Sequence, residues 1–345
     1  MGGNAMEPVR NEALLKELTQ AFGVAGFEDN VCEIIRREVT PYADEITEDA
    51  MGNLIVLKKG VDSPHKKRIM FAAHMDEIGF MVKKIQPDGT LQVCNLGWNW
   101  TGSAYNGRVQ FANGMTGVVG CIGPIEEANN KAGKLFVDIG AKDKTDAEKY
   151  VKLGDPIGYI GEYLHMQNDL VCSKSLDNRI GCFQLIEALK ENDGKGPNDV
   201  YYVFTVQEEL GCRGSKPSAA AIKPDIGVAV DITPAHDYPC DLEGSNTVNA
   251  GVGIKICDPS VVCDRHVVAA MIDCCEKQDI PYQREVIDQG GTDASSMNVS
   301  HYGVRAGGVV VSTRYPHCQS CVASLRDIEA GVRLCAAFAA YEFTY

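Results

Sequence analysis

The stretch Arg68-Ile-Met-Phe-Ala-Ala-His-Met-Asp-Glu-Ile-Gly79 decides the fold. Its first part, Ile69 to Ala73, is wholly apolar, and a short apolar run of that kind reads as a strand covered on both faces, the central position of an α/β sheet. A histidine ends the run and an acidic pair follows within three residues. Upstream, Leu14, Leu15, Leu18 and Phe22 recur at helical spacing after Asn11, a competent N-cap, and Val31, Ile34, Ile35 and Val39 repeat the pattern. Leu54 to Leu57 reads as a strand after the Gly52-Asn53 turn.

Downstream the texture changes. From about Gly79 to His165 the chain holds short Val, Ile and Thr runs broken by glycine, such as Arg108-Val-Gln-Phe111 and Met115-Thr-Gly-Val-Val-Gly120, with no long helical pattern. After Asp169 helices are expected near 179–191, 215–222, 260–278 and from Asp327, with strands at 200–206, 225–231 and 304–311 between them. The expected fold is therefore α/β: a mixed, largely parallel sheet with helices on both faces, plus an inserted small, β-rich, barrel-like domain. Residues 1–74 and 168–345 would form one discontinuous catalytic domain, and 75–167 the insertion.

Composition narrows the function. At 345 residues the chain has room for two cores, and 45% hydrophobic with 23% charged residues excludes a disordered or fibrous chain. The excess of 47 acidic over 33 basic residues gives a net charge of −14, which argues against nucleic acid and anionic membranes as partners. No run approaches the roughly 18 apolar residues of a spanning helix, and Met1 to Glu12 lacks the charged-then-apolar order of a secretory signal, so a cytoplasmic protein is expected. The 14 cysteines are mostly single and set in apolar stretches, which reads as reduced core thiols.

Acids and histidines follow the strands in order. His74 ends one strand, Asp177 comes shortly after Leu170-Val171, Glu208-Glu209 follow Tyr201 to Val206, Asp231 closes Ile226 to Val230, and His317 follows Val309 to Ser312. The carboxyl edge of an open α/β sheet is its ligand edge, and carboxylates converging there need a cation. Singly, each has an ordinary explanation: Asp177 as a helix cap, Glu208-Glu209 as a solvated turn, His317 as a surface histidine. Together, two imidazoles with Asp177, Glu209 and Asp231 suit two zinc ions sharing one carboxylate, with cobalt or manganese as substitutes. Such a pair can hold a bridging water, and Glu208, next to a ligand, is free to act as general base.

The motifs around these residues carry a resemblance. Ala73-His-Met-Asp-Glu-Ile-Gly79, Ser175-Leu-Asp-Asn-Arg-Ile-Gly-Cys182, Thr205-Val-Gln-Glu-Glu-Leu-Gly211, Asp231-Ile-Thr233, Gly290-Gly-Thr-Asp-Ala294 and Arg314-Tyr-Pro-His317 closely resemble the dinuclear zinc aminopeptidases called tetrahedral or glutamyl aminopeptidases, some of which once carried the name endoglucanase. The likeness runs from about Glu12 to Phe343. It implies that His74 and Asp231 hold one metal, Glu209 and His317 the other, and that Asp177 bridges them. It further implies that Asp76 fixes the His74 ring, that Glu208 is the catalytic base, and that Gly290, Gly291, Thr292 and Asp293 lie near the substrate, a short peptide whose free ammonium Asp293 would meet. The insertion would be a dimerisation domain, with dimers assembling into a twelve-subunit tetrahedron. This chain departs from the pattern at Asn178, where relatives commonly have Asp, and at Cys318, where they usually have Ser.

Two other functions compete. A glycoside hydrolase would use a carboxylate pair without histidines, and a non-catalytic peptide-binding or shell scaffold would have no use for a free glutamate beside a ligand glutamate. His236 reads first as an ordinary histidine, with the border of the site as the alternative because it lies five residues past Asp231, and Arg314 either attracts acidic first residues or is spent in a salt bridge.

Overall fold

A computed structural model of the chain describes residues 9–128 and 131–344. Met1 to Pro8, which carry most of the reading of the amino terminus, fall outside the described residues. Among the described residues no helix is long and apolar enough to cross a membrane.

The main sheet runs, in spatial order, Glu45–Glu48, Leu54–Lys58, Asp199–Thr205, Arg68–His74, Ile226–Pro234, Arg305–Arg314, Cys321–Ser324, Leu170–Ser173 and Leu164–His165. Its four middle strands, from Asp199–Thr205 to Arg305–Arg314, are mutually parallel, and antiparallel strands complete both flanks. Arg68–His74 lies at the centre as its composition requires, every residue after Arg68 being buried. Val252–Asp258 branches off the Arg305–Arg314 strand and carries Tyr282–Val286 on its far side.

Helices cover both faces. Gly227 and Gly307 sit one register step apart on adjacent parallel strands, so their missing side chains point to opposite faces. A Cβ on Gly307 would meet Val267 and Met271 of helix Arg265–Lys277, and one on Gly227 would meet Met297 of helix Asp293–Asn298. The strands Gly79–Ile85, Leu91–Leu96, Arg108–Phe111, Thr116–Cys121, Leu135–Asp138 and Pro156–Tyr159 close into a separate antiparallel barrel. Its core of Phe80, Val82, Leu91, Val93, Val119 and Val137, among others, follows the period-2 alternation of those strands.

Several local expectations change. Asn11 stands at the cap position of helix Glu12–Gln20, but its amide donates to Glu187 Oε1 at 3.3 Å, and no side-chain cap bond forms. The helix expected from 260 starts at Arg265, because Asp264 caps it through the His266 and Val267 N–H groups, and Val261–Val262 is a short strand. Ser324, accepting from the Arg326 and Asp327 N–H groups, starts the last helix at Leu325 rather than Asp327. All fourteen cysteines are free; six are buried and eight half-buried, so more of them border the core than fill it.

Candidate metal centre

Parallel register sets the site. His74 aligns with Thr205, and since Ala72 aligns with Ala229, His74 and Asp231 leave the sheet at the same height. Beyond Thr205 the chain enters a tight turn, Glu208–Leu210, through Gln207 at φ 54°; Ser175 (φ 55°) precedes Asp177 and His317 itself has φ 55°. Left-handed backbone at non-glycine residues costs roughly 1–3 kcal/mol each and collects at functional turns. Asp177, far from capping its helix, turns into the sheet edge; the Asp177–Asn178 peptide is cis.

The five predicted ligands come together as two triads that share one residue. His74, Asp177 and Asp231 form one and Asp177, Glu209 and His317 the other, with the ligand-type atoms of each within 4.8 Å of one another. Asp177 places Oδ1 3.2 Å from His74 Nε2 and Oδ2 3.2 Å from His317 Nε2. Asp231 Oδ1 lies 3.7 Å from His74 Nε2, and Glu209 Oε1 3.7 Å from His317 Nε2. On the other side of each ring, Nδ1 donates to a backbone carbonyl, Asp76 O at 3.0 Å for His74 and Trp98 O at 2.9 Å for His317. A carbonyl only accepts, so Nδ1 of each ring keeps its proton; without metal Nε2 carries a proton toward the carboxylates as well, and an ion that displaces it meets the Nε2 lone pair there. That is the donor set a pair of divalent cations requires, and the cation charge is what these buried acids lack.

Electrostatics point the same way. Burial, with Asp177 beside it, pushes Glu209 up to about 8, and burial raises Asp231. Against the opposing effect of burial, Glu209 and Asp177 hold His317 protonated up to about 10, while Asp177, Asp231 and Asp76 raise His74. Burial together with Asp231 and Asp293 lifts Glu208 well above the usual carboxylate range. Glu208 belongs to neither triad; its Oε2 lies 3.8 Å from His74 Nε2 and its Oε1 accepts the Cys212 thiol at 3.0 Å.

Asp76 does more than orient a ring. It is fully buried, 3.4 Å from His74 Nδ1, and its two oxygens accept the N–H groups of Glu208 (3.0 Å) and Glu209 (3.1 Å). The barrel also reaches the site: besides the Trp98 carbonyl, it supplies Gly97, at φ 76°, where a Cβ would fall 3.0 Å from Glu209 Cβ.

A cleft of about 540 Å³ opens over the triads. Gly290, Gly291 and Thr292 line it, and the Thr292 hydroxyl accepts the Ala294 N–H as a helix cap. Asp293 is buried behind them, with its oxygens taken by the Thr205 and Ser215 hydroxyls at 2.6 and 2.5 Å. His236 does not line the cleft; its ring packs over Gly244. Arg314 is spent on Asp237 through bonds of 3.0 and 2.6 Å. Trp98, Trp100, Cys212 and Lys255 line the cleft without having been singled out. A signal existed for three of these: the only tryptophans of the chain stand two residues apart, and Lys255 interrupts the apolar run Val252-Gly-Ile-Lys-Ile-Cys257.

The chain resembles known proteins in sequence and in fold. The family model described as M42 glutamyl aminopeptidase matches residues 52–334. The lysyl aminopeptidase of Pyrococcus furiosus is 32% identical, over 93% of this chain and 94% of its own length. The structure of an aminopeptidase from the archaeon Desulfurococcus kamchatkensis superposes with a TM-score of 0.89 at 34% identity, covering 95% of this chain and 94% of that one. The TET1 peptidase of Pyrococcus horikoshii, which can assemble into a tetrahedron or a large octahedral shell, gives a TM-score of 0.85 at 31% identity, covering 97% and 100%.

Proposed function

The chain belongs to the M42 glutamyl aminopeptidase family, and from that membership we propose that it is a dinuclear metallo-aminopeptidase removing the first residue of short peptides. The observation that carries this reading is Asp177, whose two oxygens each face one imidazole at 3.2 Å. Two divalent ions held by His74, Asp177 and Asp231 and by Asp177, Glu209 and His317, zinc with cobalt or manganese as substitutes, would supply Lewis acidity and lower the pKa of water there. Glu208, outside both triads, takes a proton from the attacking water and returns it to the amide nitrogen as the C–N bond breaks, so that water and peptide give a free amino acid and a shortened peptide. Asp76 keeps His74 in the Nδ1–H tautomer and holds the Glu208-Glu209 turn through both of its N–H groups. Gly290 to Thr292 would receive the substrate backbone, and residues 75–167 would pair two chains on the way to a twelve-subunit shell in the cytoplasm.

Two imidazoles favour this reading over a glycoside hydrolase, whose carboxylate pair needs none. The test is an assay of metal-loaded protein on an aminoacyl p-nitroanilide and its N-acetylated counterpart, with elemental analysis of the same sample. Cleavage of the free-amine substrate alone, lost on chelation and restored by metal, with two ions per chain, is the expected result. Full peptidase activity with one ion or none, or hydrolysis of cellulose in place of the anilide, overturns it.

A further inference from the structure

Apart from histidines, one basic side chain lines the cleft among the described residues, Lys255. It stands on Val252–Asp258, which the Arg305–Arg314 strand separates from the strand carrying Asp231. Gly308 clears room for its stem, since a Cβ there would fall 2.8 Å from Lys255 Cβ. The ammonium donates to Glu285 Oε1 at 2.9 Å and forms an ion pair of 3.1 Å with Asp258 Oδ2. All three are buried, at 1% exposure for Lys255, 0% for Glu285 and 3% for Asp258. Each acid is itself anchored, Glu285 Oε1 by the Thr233 hydroxyl at 2.7 Å and Asp258 Oδ1 by the Ser260 hydroxyl and the N–H groups of Ser260 and Val261. Glu285 Oε2 is buried without a partner.

Buried ion groups add little stability over well-packed apolar residues, so one whose lysine lines a cleft invites a functional explanation. An ammonium has three protons, and two carboxylates occupy at most two of them, which leaves a donor for a bound ligand. Two acids against one cation leave the group at net −1, so a third carboxylate would enter against the field, whereas a neutral acceptor takes the N–H without that repulsion. Ile232, Pro234, Leu242 and Ile287 give the same cleft apolar walls suited to a methylene stem.

We propose that Lys255, held by Asp258 and Glu285, is the specificity-determining residue for the first residue of the substrate, selecting an unbranched side chain that ends in an uncharged hydrogen-bond acceptor, glutamine ahead of glutamate, methionine, leucine and lysine. This rests on the aminopeptidase reading.

The experiment measures kcat/KM for glutaminyl, glutamyl, methionyl, leucyl and lysyl p-nitroanilides with the metal-loaded wild type, Lys255→Met and Glu285→Gln. Glutamine should lead in the wild type by about tenfold, the worth of one well-placed hydrogen bond. Lys255→Met should lower the glutamine-to-methionine ratio by about tenfold. Glu285→Gln, which keeps the shape and removes one negative charge, should raise the glutamate-to-glutamine ratio; it carries the test if Lys255→Met fails to fold. Both tryptophans of the chain, Trp98 and Trp100, line the cleft, so quenching of their fluorescence by free glutamine against free methionine reads the same preference without turnover. A wild type that prefers lysine or leucine, or a glutamate-to-glutamine ratio unmoved by Glu285→Gln, overturns the assignment to Lys255 and leaves the peptidase reading standing. If no anilide is cleaved by the metal-loaded protein, the peptidase reading falls and Lys255 loses this role with it.

Discussion

Glu208 and Glu209 are neighbours in sequence with opposite duties. The turn Glu208–Leu210 sends Glu209 toward His317 and leaves Glu208 beside the Cys212 thiol, outside both triads. Replacing a triad residue removes charge that holds the ions, so only Glu208 separates proton transfer from metal binding. Glu208→Gln should lower kcat by about two to four orders of magnitude with metal content unchanged; wild-type turnover, or loss of both ions, would assign Glu208 to another role. Asn178 is also fixed at the residue scale. Its buried amide donates to Val230 O at 2.8 Å and accepts the Gly181 N–H at 2.9 Å, and an ionised carboxylate could make only the second bond.

Between elements, Arg179 ties the site to the rest of the catalytic sheet. It is fully buried and donates to the carbonyls of Leu18 (2.6 Å), Ala21 (3.1 Å), Gly23 (3.1 Å) and Met75 (2.8 Å), so the end of helix Glu12–Gln20 and the segment after His74 hang on one guanidinium. Nearby, Lys174 Nζ bonds both oxygens of Glu77 at 2.8 Å where the chain enters the barrel. Arg179→Met would orphan buried carbonyls and leave Glu77 with one cation fewer, and should cost about 3–5 kcal/mol of unfolding free energy in a denaturant titration. A loss below 1 kcal/mol would mean that water or a shifted backbone replaces those bonds.

On the scale of the whole molecule, the acids and imidazoles of the centre act together on stability. Glu209, raised from 4.5 to about 8, and His317, raised from 6.5 to about 10, both bind their protons more tightly in the folded chain than in the unfolded one. Their protonated forms therefore favour folding fully below the unfolded values, and that contribution drains as pH rises through the folded ones. Asp177 is lowered, chiefly by His317 and His74 against the effect of burial, so its contribution disappears only in strong acid. The metal-free protein should melt at a lower temperature at pH 9 than at pH 6, and zinc should raise the melting temperature more at pH 9, because ions displace these protons. Equal melting at both values without metal would contradict the buried, uncompensated centre. The inserted barrel unit leaves Ile122, Tyr150 and Leu153 more than half exposed, apolar side chains that self-association would cover. Light scattering should find twelve chains per particle, and an active monomer would remove that purpose from the insertion.

The chain sequence alone determined the α/β class, the barrel insertion and all five groups of the two triads, because strand-sized apolar runs fix the sheet and whatever follows each run must emerge at the sheet's carboxyl edge. Strands such as Val252–Asp258 and Tyr282–Val286 escaped it, since Lys255, Arg284 and Glu285 break the apolar pattern, and only the packed strands pair Lys255 with Glu285 and leave Arg284 exposed. Tertiary structure alone decided that Arg314 belongs to Asp237 while Lys255 faces the cleft, that Asp76 binds the Glu208-Glu209 turn as well as His74, and that a carbonyl of the barrel sets the tautomer of His317. Each of these joins residues distant in sequence through a hydrogen bond or ion pair. Local periodicity reports which side of an element is apolar, and it carries no information about which polar group will stand opposite once the elements have packed.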